Sequence, residues 1–171
     1  MSLALALMLA AASPPAPALP QLDGLTPLAE AFQAYCVTPF PNETLFAATI
    51  AEAGSGFTRV EETGQPGQRY TDGTIMLNYV GVEGAPMGVP APQCRMSAEV
   101  ADGFSHREAA ADISDLLDIE TGKTTGRAGI NKTIWNFEDA QGNTLRLFLA
   151  SRPVPQDHGY AVSLTLMKLD Q

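Results

Sequence analysis

The chain has 171 residues, a formal net charge of −9, and hydrophobic residues at 45% of its positions. Its length and composition indicate a single globular domain rather than a fibrous, disordered or multi-domain protein. Because an acidic chain repels phosphate backbones, the charge argues against a nucleic-acid partner.

The first eighteen residues form an uncharged, apolar leader. Its Leu/Ala run is too short to span a bilayer, which needs about 20 apolar residues, and it ends in small residues typical of a secretory signal. Cleavage can follow Ala12 or Ala18, since both have alanine at −3 and −1. We predict a signal peptide over 1–18, a linker over 19–25, and no membrane span after cleavage. The alternative is an apolar helix packed on the domain, which the prolines that follow disfavour.

Two helices are predicted in the first part of the domain. Thr26 and Pro27 provide an N-cap hydroxyl and a proline in the first turn. Asn42 is expected to cap the second helix, which ends near Gly54. Apolar residues at helical spacing form one buried stripe on the first helix: Leu28, Phe32, Tyr35 and Cys36.

Strands follow these helices. Asp72-Gly73 predicts a two-residue hairpin turn between strands at 68–71 and 74–80. After a Gly/Pro-rich loop, apolar and polar residues alternate over 93–101. This alternation predicts a strand with Cys94 on its buried face.

A third helix begins the second part. Ser105 and Glu108 form a capping box, and we expect His106 between them to lie at the surface. An imidazolium there would oppose the helix dipole. A flexible loop is predicted over 120–129. Three further strands complete the sheet: 130–138, 144–150 and 160–169.

The predicted fold class is α+β, with an antiparallel sheet of about six strands and helices packed on one face. Residues 26–171 form the single domain. Each half contains a helix, a hairpin, a Pro-rich loop and a strand, which suggests two pseudo-repeats over 26–102 and 103–171. The alternative is coincidence, because α+β domains often alternate in this way.

Cys36 and Cys94 are the only cysteines, and both are predicted to face inward. In an exported protein they would most simply form a disulfide bond. In a reducing compartment they would instead be two buried thiols.

The sequence contains no motif for a metal or a cofactor, and we predict neither. The segment GKTT at 122–125 is not a phosphate-binding loop, because Leu117 stands where that motif needs glycine. The segment also follows a helix rather than a strand.

Strand 130–138 is apolar on both faces, with Ile130 and Ile134 on one and Trp135 and Phe137 on the other. If helices cover only one face of the sheet, one of these pairs is exposed. We hypothesise that Trp135 and Phe137 are the exposed pair and anchor a partner, since aromatic residues dominate many interfaces. The alternative is that helices or loops cover both faces of the strand.

A second candidate site lies around the last loop. There a carboxylate beside an imidazole resembles half of an acid–base pair, and two neighbours could extend it into a pocket between sheet and helices. Its residues are Arg152, Asp157, His158 and Tyr160.

The sequence therefore favours an exported, non-enzymatic binding module in the periplasm or outside the cell, with an envelope or secreted protein as its partner. The alternative is a small-ligand-binding protein or a hydrolase-like enzyme that uses the second site.

Overall fold

The computed structural model describes residues 20–52, 54–61, 66–83, 85–88, 90–155 and 159–169. The predicted signal peptide, Asp157 and His158 lie outside these described residues. Within the described ranges, no helix combines the length and apolar character needed to cross a membrane.

The described residues form three α-helices and one sheet. The helices are α1 (Thr26–Phe32), α2 (Glu43–Ala51) and α3 (His106–Leu117), and a π-helical turn (Gln33–Val37) continues α1. The first four strands are β1 (Thr58–Val60), β2 (Gln68–Thr71), β3 (Met76–Val80) and β4 (Gln93–Val100). The last four are β5 (Lys123–Arg127), β6 (Ile130–Glu138), β7 (Thr144–Val154) and β8 (Gly159–Lys168).

The eight strands form one antiparallel sheet in the order β1-β2-β3-β4-β8-β7-β6-β5. The α+β class is confirmed, but the sheet is larger than the predicted six strands. β4 pairs with β8 at the centre, from Gln93 opposite Met167 to Val100 opposite Tyr160. This pairing joins two four-stranded meanders. The pseudo-repeat over 26–102 and 103–171 stays a prediction.

β5 lies inside the segment 120–129, so the predicted loop there is wrong. The strand pairs with β6 through a tight turn at Ala128 and Gly129, whose φ angles of 52° and 79° match those of a hairpin turn. Threonine and glycine gave β5 the composition of a loop. Pairing with the long strand β6 makes it an edge strand.

The predicted caps of α2 and α3 are confirmed. The side chain of Asn42 accepts a hydrogen bond from the Leu45 amide at 3.0 Å, and that of Ser105 accepts one from the Glu108 amide at 3.4 Å. The predicted cap of α1 is displaced by one residue. The helix begins at Thr26 itself, without a side-chain cap.

The connection between β2 and β3 is longer than predicted. β3 begins at Met76, so four residues join the strands rather than two. The Asp72 carboxylate accepts hydrogen bonds from the amides of Thr74 and Ile75, at 2.8 and 2.7 Å. These local bonds satisfy the turn and delay the start of the strand.

Each part of the helical layer contacts the same face of the sheet, which we call the inner face. On α2, Phe46 stacks on Tyr79 of β3 with ring centroids 4.2 Å apart. On α3, Ser114 accepts a hydrogen bond from Trp135 of β6. The inner face therefore forms the core, and we call the opposite side of the sheet the open face.

A disulfide bond joins the helical layer to the centre of the sheet. Cys36 lies in the π-helical turn after α1 and Cys94 in β4, with Cα atoms 5.6 Å apart. Both side chains are buried, as predicted. The bond closes 58 residues of chain, which include α2 and β1 to β3.

We expect reduction of this disulfide to lower the melting temperature markedly. In the chain-entropy model, a closed loop of that length contributes about 4 kcal/mol to the free energy of unfolding. Thermal denaturation with and without reductant measures the effect. A double Cys36→Ala/Cys94→Ala variant is the control and should not respond to reductant. An equal melting temperature of the wild type in both conditions would contradict the prediction.

Candidate functional site

Trp135 lies in the core. Its side chain is 3% exposed, and its indole Nε1 donates a hydrogen bond to Ser114 Oγ of α3 at 2.9 Å. Phe137 lies on the same inner face and is half-buried. The expectation of an exposed Trp135 is therefore wrong. The open face of β6 instead presents Ile134 and Ile130, the latter 52% exposed.

The two described residues of the second predicted site, Arg152 and Tyr160, do not come together. Arg152 points from β7 to the open face, whereas Tyr160 of β8 lies on the inner face with its ring 5.3 Å from that of Phe104. Asp157 and His158 lie outside the described residues. The described pair is therefore separated by the thickness of the sheet.

Basic side chains concentrate on the open face. The chain has ten Lys and Arg residues. The strand registers place seven of them on this side: Arg69, Arg95, Lys123, Arg127, Lys132, Arg146 and Arg152.

Among the described strand residues, the open face carries only two carboxylates, Glu99 and Glu138. This side therefore has an excess of five positive charges in a chain whose net charge is −9. The cause is the pleat: a strand residue points either into the core or away from it, and the core excludes unpaired charges. The open face is consequently electropositive.

A depression of about 320 Å³ lies near the centre of the open face. Small side chains form its floor: Ser97, Ala150, Ala161 and Ser163. Longer side chains surround it: Met76, Arg95, Glu99, Ile130 and Arg152.

The basic residues of the open face differ in their contacts. Arg146 donates a hydrogen bond to Asn136 Oδ1 at 2.7 Å, and Lys132 Nζ lies 4.1 Å from the centre of the Phe148 ring. Arg95 and Arg152, beside the depression, form no hydrogen bond or ion pair with another described residue. Their ten N–H donors are thus available to a ligand.

A larger groove of about 630 Å³ lies at the inner side, between the end of α3 and the β6–β7 hairpin. It contains the predicted binding residue Phe137. Apolar side chains line it together with the carboxylates of Asp118, Glu120 and Asp139.

His106 is buried rather than exposed, which corrects the sequence-based expectation. Its Nδ1 lies 2.7 Å from Ser151 Oγ and its Nε2 lies 2.9 Å from Thr133 Oγ1. Thr133 Oγ1 is in turn 2.8 Å from Thr124 Oγ1. The hydroxyl groups of β7, β6 and β5 thus hold the first turn of α3 through one imidazole.

A serine so close to a histidine resembles a nucleophile beside its base. Here, however, Ser151 is 2% exposed and His106 is 8% exposed. Both side chains lie between α3 and the sheet, where a substrate cannot approach. The arrangement therefore serves as a structural hydrogen-bond chain. Burial lowers the pKa of His106 below its ordinary value of 6.5.

The basic open face was not predicted from the sequence, although the pattern that indicates it is present in β7. There, Arg146, Phe148, Ala150 and Arg152 alternate with Leu145, Leu147 and Leu149. A search for catalytic motifs does not detect such a surface, because the surface consists of basic residues that lie at alternate positions of several strands.

Comparisons with known proteins found no match among protein-family models, curated proteins or solved structures.

We expect the fluorescence of Trp135, the only tryptophan, to be blue-shifted and poorly quenched by iodide. Trp135→Ala should lower the free energy of unfolding by about 3–5 kcal/mol, because it leaves a cavity and removes the hydrogen bond that the indole donates to Ser114 Oγ. Urea denaturation measures this loss, with Phe148→Ala on the open face as the control of smaller effect. Red-shifted, readily quenched emission would show instead that the ring meets water.

We expect the protein to lose stability when the pH falls below about 6.5. The folded state holds His106 with a lowered pKa, so the unfolded state takes up a proton more readily. The contribution of His106 to the free energy of unfolding is therefore complete above the pKa of the unfolded state. It declines by at most ~1.4 kcal/mol per pH unit as the pH falls toward the pKa of the folded state. Urea denaturation between pH 7.5 and 5.5 tests this, and His106→Gln should flatten the slope. An unchanged slope in that variant would contradict the assignment.

Proposed function

We propose that the protein is an exported, non-enzymatic binding module whose open face binds an envelope or secreted protein. The observation that carries this proposal is the electropositive open face, which the described helices leave uncovered and which contains a central depression. A surface of this kind has no role in forming the core.

The size and composition of the open face support a protein partner. Eight strands spaced about 4.8 Å apart give a width of about 34 Å, which suffices for a typical interface of ~800 Å² per partner. Five of its seven basic residues are arginines, which are enriched at interfaces, whereas lysine is depleted. Met76, Ile130 and Phe148 supply apolar contacts between the charges.

The disulfide supports export. Disulfide bonds persist in oxidising compartments and are rare in the cytosol, where thiols are kept reduced. The bond between Cys36 and Cys94 therefore agrees with the apolar leader of the sequence, which supplies the route.

A steric block of the open face tests the proposal. Thr165→Trp places a bulky side chain at the centre of this face, and Ala48→Trp places the same side chain on the exposed side of α2. We expect the wild type and Ala48→Trp to capture the same protein from an envelope or secreted fraction, and Thr165→Trp to lose at least ~90% of it. Quantitative mass spectrometry measures the capture.

Both variants should have the melting temperature of the wild type, because neither position lies in the core. Equal capture by Thr165→Trp and Ala48→Trp would contradict the proposed surface. Recovery of small molecules without any protein would contradict a protein partner.

A second candidate function rests on the groove of about 630 Å³ between α3 and the β6–β7 hairpin. Its combination of Phe137 and carboxylates fits a small apolar molecule with a positive charge. Stabilisation of the protein by such a molecule, abolished by Phe137→Arg but not by Thr165→Trp, would favour this function over the first.

A further inference from the structure

We infer that the depression in the open face receives an acidic side chain from an extended segment of the partner protein. This inference rests on the proposed function and names the chemistry of its partner. The carboxylate would lie over Ser163, between the guanidinium groups of Arg95 and Arg152.

The strand register fixes this geometry. Ser163 of β8 lies directly between Ser97 of β4 and Ala150 of β7. Arg95 precedes Ser97 by two residues, and Arg152 follows Ala150 by two residues. The two arginines are therefore diagonal neighbours of Ser163 on opposite sides, each about 7–8 Å away along the sheet. An arginine side chain spans such a distance.

The groups at this position are donors without partners. Arg95 and Arg152 form no hydrogen bond with the other described residues, and neither do the hydroxyl groups of Ser97 and Ser163. A carboxylate is the acceptor that suits two guanidinium groups, since it can accept paired hydrogen bonds from each. The small floor residues leave room for the side chain that carries it.

Glu99 limits how much negative charge a ligand can bring into the depression. It occupies a third diagonal position around Ser163, and its Oε2 is buried without a hydrogen-bond partner in the described structure. Two positive groups and one negative group thus surround the centre. A single carboxylate balances them, whereas Glu99 would repel a cluster of negative charges.

An acidic peptide segment fits this surface better than a polyanion does. The positive groups alternate with the apolar side chains of Met76, Ile130 and Phe148. These side chains suit the apolar side chains of a protein partner and would not bind phosphates. A flat bilayer could not bring a headgroup to the floor of the depression. The rest of the chain is also strongly acidic, so it would repel a nucleic acid that extends beyond the open face.

The test uses the purified protein and a fluorescein-labelled peptide of alternating Glu and Val residues. Fluorescence anisotropy should show binding that weakens as salt rises, and a peptide with Gln in place of Glu should not bind. Arg95→Gln and Arg152→Gln should each weaken binding about tenfold or more, because each removes a charged hydrogen-bonding partner. Arg59→Gln and Arg107→Gln are the matched controls, since both arginines lie outside the open face, and should change affinity less than about twofold.

Two further variants separate recognition from stability. Glu99→Gln should strengthen binding several-fold, because it removes the repulsive carboxylate. Ser163→Asp should abolish binding, because its own carboxylate would occupy the site. Its melting temperature shows whether it folds, and the two arginine variants test the same site if it does not. A gain of affinity in Glu99→Gln is not expected from a change in folding.

Four results would overturn the inference: no binding of the Glu/Val peptide, equal binding of the Gln peptide, undiminished binding by both arginine variants, or tighter arginine-dependent binding of heparin or phosphatidylglycerol vesicles. Capture of a protein that is blocked by Thr165→Trp, without peptide binding, would leave the proposed function in place and reject the acidic segment. Peptide binding without capture of any protein would support the carboxylate site and count against the proposed function.

Discussion

The structure depends on one constraint: helices cover a single face of an eight-stranded antiparallel sheet. In each strand the pleat sends alternate side chains to opposite sides, so covering the inner face commits half of every strand to the open face. At the centre, Met96 and Leu164 face each other in the core, while the neighbouring pair Ser97 and Ser163 lies on the open face. The core and the electropositive surface therefore arise from the same strand register.

Three buried connections, one disulfide bond and two sets of hydrogen bonds, join the helical layer to the sheet. The disulfide fixes the turn after α1 to β4, and the hydrogen bond from Trp135 to Ser114 fixes α3 to β6. His106 joins the first turn of α3 to two strands through hydroxyl groups. Each is buried and lies on the inner side of the sheet. None of these three connections uses a side chain of the open face, and we propose that the charges of that face serve recognition.

The sequence predicted features that depend on local spacing. Asn42 and Ser105 cap their helices, and alternation placed Cys94 inward, because a few neighbouring residues determine each of these. The sequence did not predict how residues of different strands are placed relative to one another. Trp135 and Ile134 are both apolar, so only the location of α3 decides which of them is buried. Likewise, the seven basic residues belong to five strands, and that they form one surface is apparent only once the register is known.

Site-specific photo-crosslinking in the cells that produce the protein shows whether the open face binds a partner. A photoreactive amino acid would replace Met167 on the open face or, in a separate sample, Leu45 on the exposed side of α2. We predict that irradiation of the Met167 sample yields a defined covalent adduct with another exported protein and that the Leu45 sample yields none. An adduct that forms from Leu45 and not from Met167 would contradict the assignment of the open face as the binding surface.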